Sequence, residues 1–250
     1  MMVDFIILIA AAFGAGVLNT IAGGGTFLTL PALVFTGVPM VAANATSAVA
    51  VFPGYLGGAL GFRRELRDYL PRQLARLVAI TLLGGLAGSG LLLVSSNDTF
   101  SLAVPFLLLF ATLVFLFGDP IRAWAAARSR ATKPEGAIGL FLVSVYGGYF
   151  NGGLGIVLLA LFSLWGMIDI HRMNGLKNAL SFSLSAISVA VFALAGIVDW
   201  PKAIVMMIAS SVGGYAGAPI ARKIPKPLLI AIIAAIGFGM SSLFFWRLVS

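Results

Sequence analysis

Polar and glycine residues break an otherwise apolar chain at a few places, and those places set the expected elements. A first apolar segment, about Val3 to Thr36, is interrupted by NTIAGGGT at Asn19–Thr26, with Pro31 beyond it. Three runs follow, at about Val41–Phe62, Leu74–Val94 and Phe100–Phe117. A basic linker separates these from a fifth segment, about Gly136–Trp165, which is interrupted in the same way by NGGLG at Asn151–Gly155. The last three runs lie at about Met173–Ile197, Ala203–Ala221 and Leu228–Leu248. Runs of about 18 or more apolar residues are the length of membrane-crossing helices, and the short alternating segments of a membrane β-barrel are missing. The expected fold class is therefore an all-α membrane protein.

The second half of this pattern repeats the first with a period of roughly 130 residues. Asn19 with Gly23 answers to Asn151 with Gly155, and GGLAGS at Gly84 answers to GGYAGA at Gly213. The domain organisation follows: an N-terminal repeat over 1–117, a basic linker over 118–135 and a C-terminal repeat over 136–250, forming one transmembrane domain.

Charge then orients the runs. Basic residues crowd three places: Arg63, Arg64, Arg67 and Arg72 after the second run; Arg122, Arg128, Arg130 and Lys133 in the linker; and RKIPK after the seventh run. Short basic loops stay on the cytoplasmic side. With those three loops inside, the fifth segment must begin and end inside, and the first must begin and end outside. A re-entrant pair of short helices hinged at the glycines does this, because irregular backbone survives at membrane depth only where protein or a water-filled cavity satisfies it. Each repeat is then a broken or re-entrant segment plus three transmembrane helices, and the odd number of crossings gives the repeats inverted topology. Lys202 and Arg247 at outer ends count against this, and eight full spans are the alternative.

Composition narrows the chemistry. The 250 residues are 60% hydrophobic and 10% charged, against about 25% charged for a soluble domain, and there is no cysteine. The net charge of +8 sits in loops facing anionic lipid, which excludes a nucleic-acid reading. The N-terminus MMVDFIILIA has no positive region of the kind that opens a signal peptide. All eight acidic residues (Asp4, Glu65, Asp68, Asp98, Asp119, Glu135, Asp169, Asp199) fall in loops or at segment ends. Carboxylates within the bilayer mark cation pathways, so their absence argues against a carboxylate-lined cation route.

Lys177 is the most deeply placed charge, six residues beyond His171 and so about 9 Å into the membrane. Lysines near helix ends often snorkel to the interface. Here the residue lies among Asn174, Asn178 and Ser181, has no acidic neighbour, and answers in the first repeat to Thr46, beside Asn44 and Ser47. That pattern suits a fixed positive charge for an anionic substrate. The glycine breaks add to it, because a helix starting at Gly23, Gly24 and Gly25 or at Gly152 and Gly153 presents backbone N–H groups to negative charge. No Gly-Lys-Ser/Thr follows GGGT, so it is not a phosphate loop. Gly84 with Gly88 and Gly213 with Gly217 have the spacing of close helix packing. His171 is the single histidine; an interfacial position suits it, and because imidazole changes charge near neutral pH it is also a candidate for proton coupling. One histidine without cysteine offers too few ligands for a metal, and it is the sole partner for any serine hydrolase arrangement, so neither metal, cofactor nor enzyme activity is expected.

The stretches GAGVLNTIAGGGTFLTLPAL, ANATSAVAVFPGYLGGALGF, YGGYFNGGLG and MNGLKNALSF, in this order and duplicated, resemble the sulfite exporter TauE/SafE family of membrane permeases over nearly the whole chain. The resemblance implies a multi-pass protein of the bacterial cytoplasmic membrane that moves small sulfur-containing anions. It places Asn19, Thr20 and Gly23–Gly25, with Asn151, Gly152, Gly153 and Gly155, around a central cavity flanked by Asn44, Thr46, Ser47, Asn174, Lys177 and Asn178. The expected function is secondary transport of a small oxyanion, sulfite or a short organosulfonate, by alternating access. An anion channel, or a permease for another small organic anion, fits the same residues. The expected partners are the anionic substrate and the lipid bilayer, with self-association into a homo-oligomer left open.

Overall fold

The computed structural model describes residues 2–21, 24–61, 66, 69–127, 136–221 and 226–249. Among them regular structure is entirely helical. The first half of the chain holds α1 (Met2–Ile21), α2 (Thr26–Phe35), α3 (Met40–Gly61), α4 (Pro71–Val94) and α5 (Asn97–Leu116). Next comes α6 (Gly118–Ala127). The second half holds α7 (Ala137–Tyr149), α8 (Leu154–Leu164), α9 (Ile170–Leu194), α10 (Trp200–Ala221) and α11 (Lys226–Val249). Four described stretches, Met2–Asn19, Pro71–Val94, Asn97–Val114 and His171–Leu194, are long and apolar enough to cross a membrane. Large apolar side chains such as Leu83, Leu102, Phe106, Ile208 and Leu243 point outward, as lipid-facing positions require.

Local chemistry sets the helix ends. Pro71 starts α4, where its missing N–H costs nothing. Asp169 caps α9, its Oδ1 accepting from the His171 N–H at 2.8 Å and the Arg172 N–H at 3.3 Å. Helices α2 and α8 stop in the same way. Gly37 and Gly166 both sit at φ +82°, Gly37 N–H bonding Val34 O and Gly166 N–H bonding Ser163 O, while Val38 and Met167 reach back to Leu33 and Phe162. The same stop recurs after Leu194, where Gly196 at φ +69° bonds Ala193 O and Ile197 reaches back to Phe192. Counting from the two helix starts, Met40 and Ile170, Lys177 falls opposite Ser47, one residue from the Thr46 that sequence alignment suggests.

Both interrupted segments fold back on themselves. In the first, Gly14 lies against Leu28 and Asn19 against Gly25; in the second, Gly139 lies against Leu161 and Gly147 against Leu154. These are antiparallel hairpins. Their returning arms, 10 and 11 residues, are about 15–16 Å long, half of a roughly 30 Å hydrocarbon core. The glycine breaks therefore lie deep between the helices.

The hairpins pack reciprocally, α1 on α10 and α7 on α4, while α3 meets α10 and α9 meets α4. Helices α3 and α9 meet near the centre, with the Phe52 and Phe182 rings stacked at 5.3 Å. Helices α5 and α11 run antiparallel: the Ser241 hydroxyl donates to Pro105 O at 2.8 Å, Gly237 faces Thr112, and Phe245 meets Phe106 edge-on. At one end of the bundle the Val41 N–H bonds Asn97 Oδ1 at 3.0 Å and the Asp199 N–H bonds Thr46 Oγ1 at 3.0 Å. At the other, Tyr69 meets Met167 and the Arg172 guanidinium. Of the basic residues that orient the expected topology, Arg63, Arg64, Arg67, Arg128, Arg130, Lys133, Arg222 and Lys223 lie outside the described residues.

Part of the basic segment 118–135 is itself regular: Gly118–Ala127 is helical and packs on α8, with Gly118 beside Ile156. Its Ala-Trp-Ala-Ala-Ala run favours helix, and Asp119 and Pro120 in the first turn suit a helix start.

The glycine pairs at Gly84/Gly88 and Gly213 are packing devices. A Cβ at Gly88 would sit 2.1 Å from Val145 O, and one at Gly213 would sit 2.1 Å from Phe13 O. Backbones approach this closely only where no side chain intervenes.

Candidate functional site

At the first break, Asn19 is spent on closing the hairpin. Its Oδ1 accepts from the Gly25 N–H at 2.8 Å, and a Cβ on residue 25 would lie 2.6 Å from the Asn19 amide, so glycine is required there. Just inside α2, the Thr29 and Ser47 hydroxyls pair at 2.6 Å, both buried, and fasten α2 to α3. Gly24 is buried beside them. The Thr20 side chain and Gly23, also expected here, lie outside the described residues.

The second break is held by backbone conformation. Asn151 has φ 63° and Gly153 φ 70°, two left-handed residues that end α7 and start α8. Asparagine tolerates this region better than other side-chain-bearing residues. The Tyr146 hydroxyl donates to Gly152 O, and a Cβ at Gly152 would strike the Phe150 ring at 2.4 Å. Gly155 is buried in the first turn of α8.

Side chains of α3 join the two halves of the chain. Asn44, on α3, donates from Nδ2 to Tyr149 O at 2.9 Å, at the end of α7. The Asn151 side chain meets the hydroxyl of Tyr55, also on α3. Asn44 and Asn151 are 3% and 5% exposed, and the Oδ1 of each has no hydrogen-bond partner. Thr46 is consumed differently, as the acceptor that fixes the α9–α10 connection through the Asp199 N–H.

Lys177 lies half-buried on α9 and donates to Asn174 Oδ1 at 3.1 Å. Among the described residues it pairs with no carboxylate. Asn178 is half-buried beside it. One turn nearer the end of the bundle, a cavity of about 310 Å³ is lined by Tyr69, Trp165, Ile168, Asp169, Arg172 and Leu176. Leu176, which lines it, precedes Lys177 on α9. The Arg172 guanidinium stacks over the Tyr69 ring at 5.2 Å. His171 is exposed at this rim, and among the described residues no cluster of His, Cys, Asp or Glu could hold a metal ion.

The structure thus brings Asn44 and Asn151 together through the end of α7, pairs Ser47 with Thr29, and sets Lys177 with Asn174 nearer one end. Thr29, Tyr55, Tyr146 and Tyr149 bond to the residues around the breaks, and sequence reasoning missed all four. The tyrosines in YGGYFNGG carried the signal, since a tyrosine buried among glycines needs a hydroxyl partner close by.

The family model described as Sulfite exporter TauE/SafE matches residues 8–244. The chain is similar to a "Probable membrane transporter protein" of Haemophilus influenzae, 29% identical, over 94% of this chain and 92% of that one. It is 27% identical to "Probable membrane transporter protein ORF9" of Sinorhizobium sp, over 93% of this chain and 90% of that protein. "Probable membrane transporter protein YfcA" of Escherichia coli K12 is 25% identical over 91% of this chain and 86% of its own length. No solved structure matches.

Proposed function

The chain belongs to the sulfite exporter TauE/SafE family and is a multi-pass membrane transporter, and we propose that its cargo is a small oxyanion, sulfite or a short organosulfonate. The observation that carries this reading is Lys177: a cation half-buried within a membrane-crossing stretch, held by Asn174 at 3.1 Å and without a carboxylate among the described residues. A charge in that position is costly unless a counter-charge arrives, and an anionic substrate supplies one. Binding proceeds from the cavity beside Tyr69 and Arg172, past Leu176, to the lysine ammonium. Asn178 and the deeper helix starts at Gly24–Gly25 and Gly152–Gly153 add polar and N–H groups along the same route. His171 at the rim is the candidate for proton coupling.

The mechanism that fits is alternating access between two repeats of inverted topology, 1–117 and 136–250, joined by the linker at 118–135. Support comes from the antiparallel α5–α11 pair, from the matched hairpins and from the Asn44–Tyr149 bond that crosses between repeats. Rocking one repeat against the other would open the midplane breaks first to one side and then to the other.

The test is ligand-induced stabilisation of the purified protein with sulfite, sulfate, sulfoacetate and acetate at equal ionic strength. Binding at 100 times the dissociation constant adds about 2.7 kcal/mol to apparent stability. Stabilisation by sulfite or the sulfonate with none from acetate is the expected result. Equal melting in all four would overturn the assignment.

A further inference from the structure

Several buried hydroxyls share the orphaned status of the two asparagines: Thr81, Ser144, Ser181, Ser185 and Ser188 have no partner at Oγ. A helical hydroxyl can rotate onto the carbonyl one turn back, as Ser183 and Ser89 do at 2.9 and 2.7 Å, so those five carry little information. An amide oxygen has no such escape. Asn44 is pinned because its Nδ2 donates to Tyr149 O; turning the amide over would set oxygen against oxygen. At Asn151 the side chain meets the Tyr55 hydroxyl and Oδ1 has no partner; φ 63° fixes its backbone, while a hydroxyl that both donates and accepts leaves the amide itself less firmly set than that of Asn44. Two amide oxygens without a donor, each on a residue more than nine-tenths buried, therefore lie near the end of α7: Asn44 bonds Tyr149 O, and Asn151 follows Tyr149 by two residues. Leaving such groups unsatisfied costs about 1–3 kcal/mol each.

We propose that the α7–α8 break holds a monovalent alkali cation of sodium size, bound by Asn44 Oδ1, Asn151 Oδ1 and carbonyls at the C-terminal end of α7. The end of a helix carries partial negative charge and unbonded carbonyls, which add to the two amide oxygens. All the donors are neutral hard oxygens. A divalent ion is normally held by carboxylates, and the described residues offer no such cluster here. A proton needs a titratable base, which neither amide provides. Broken membrane helices bind coupling cations with this kind of backbone and amide oxygen. The site extends the transport reading by supplying the coupling ion. It joins the repeats because Asn44 comes from the first and Asn151 from the second.

The test uses the purified, substrate-free protein, so its outcome is independent of which anion is carried. Thermal melting is followed in sodium, potassium and choline chloride at equal ionic strength. The proposal expects a saturable rise in melting temperature with sodium, a smaller one with potassium and none with choline. Asn151→Gly keeps the left-handed backbone while deleting the amide, and its melting should no longer respond to sodium. Asn44→Ala deletes the amide oxygen together with the bond to Tyr149 O, so its melting should respond to sodium less than wild type does. Identical wild-type melting in the three salts would overturn the site, and so would an unchanged sodium response in Asn151→Gly or Asn44→Ala. A failure here leaves the sulfite and sulfonate stabilisation untouched, and failure of that stabilisation leaves the sodium response untouched.

Discussion

Placing a methyl group at Gly88 tests whether the contact between α4 and α7 sets the position of the second break. A Cβ there would lie 2.1 Å from Val145 O and 2.9 Å from Tyr149 N, both backbone atoms that cannot rotate aside. Ordinary contact needs more than 3 Å, so the helices must part by roughly 1 Å along this seam. Overpacking of this kind costs about 1–3 kcal/mol, against a gain of about 1 kcal/mol from replacing glycine in a helix. Gly88→Ala should therefore lower the melting temperature by up to about 8 °C for a chain of this size. Gly90→Ala is the internal control: it lies on the same helix with nothing within 4 Å of the new atom, so it should melt at or slightly above wild type. Because Tyr149 moves with α7 and carries the Asn44 bond, Gly88→Ala should also reduce transport. Melting followed by tryptophan fluorescence in detergent provides the assay. Equal melting of the two variants would refute the claim that this seam is closed backbone to backbone.

The absence of cysteine makes topology directly measurable by single-cysteine labelling. Val3→Cys, Thr36→Cys and Asn97→Cys should react with an impermeant reagent from one face, and His171→Cys from the other; labelling of Val3 and Thr36 from opposite faces would mean that the first segment crosses. The Thr29–Ser47 pair is buried on both sides, so Thr29→Val and Ser47→Ala should each destabilise by about 1–3 kcal/mol, with a coupling of about 1 kcal/mol in the double-mutant cycle. Strict additivity in that cycle would mean the hydroxyls do not bond.

Much of this architecture was legible because membrane burial leaves few choices. The segment ends expected from apolar runs fall close to the helix ends observed, and the reversal at both glycine breaks followed from counting loop charges. What the sequence could not disclose was how each polar side chain is used. Asn19, Thr46 and Asn151 read alike as cavity residues, yet Asn19 closes a hairpin, Thr46 holds a connection, and Asn151 adopts a left-handed backbone with a bare oxygen. Such roles depend on donors from Gly25 and Asp199, the latter 153 positions from Thr46, and no local pattern specifies that distant pairing. The linker helix escaped notice because its arginines outweighed its alanines in the reading.

The central claim is that Lys177 binds a small oxyanion during transport, and the most direct measurement is flux of sulfite and of a short sulfonate into proteoliposomes as a function of concentration. Wild type should saturate, and Lys177→Ala should lose about ten- to a hundredfold in kcat/KM, the range for one hydrogen bond to a charged group, while melting as a folded protein. Lys177→Arg should recover part of that loss. Flux linear in concentration would point to a channel, and saturable flux in Lys177→Ala equal to wild type would contradict the account.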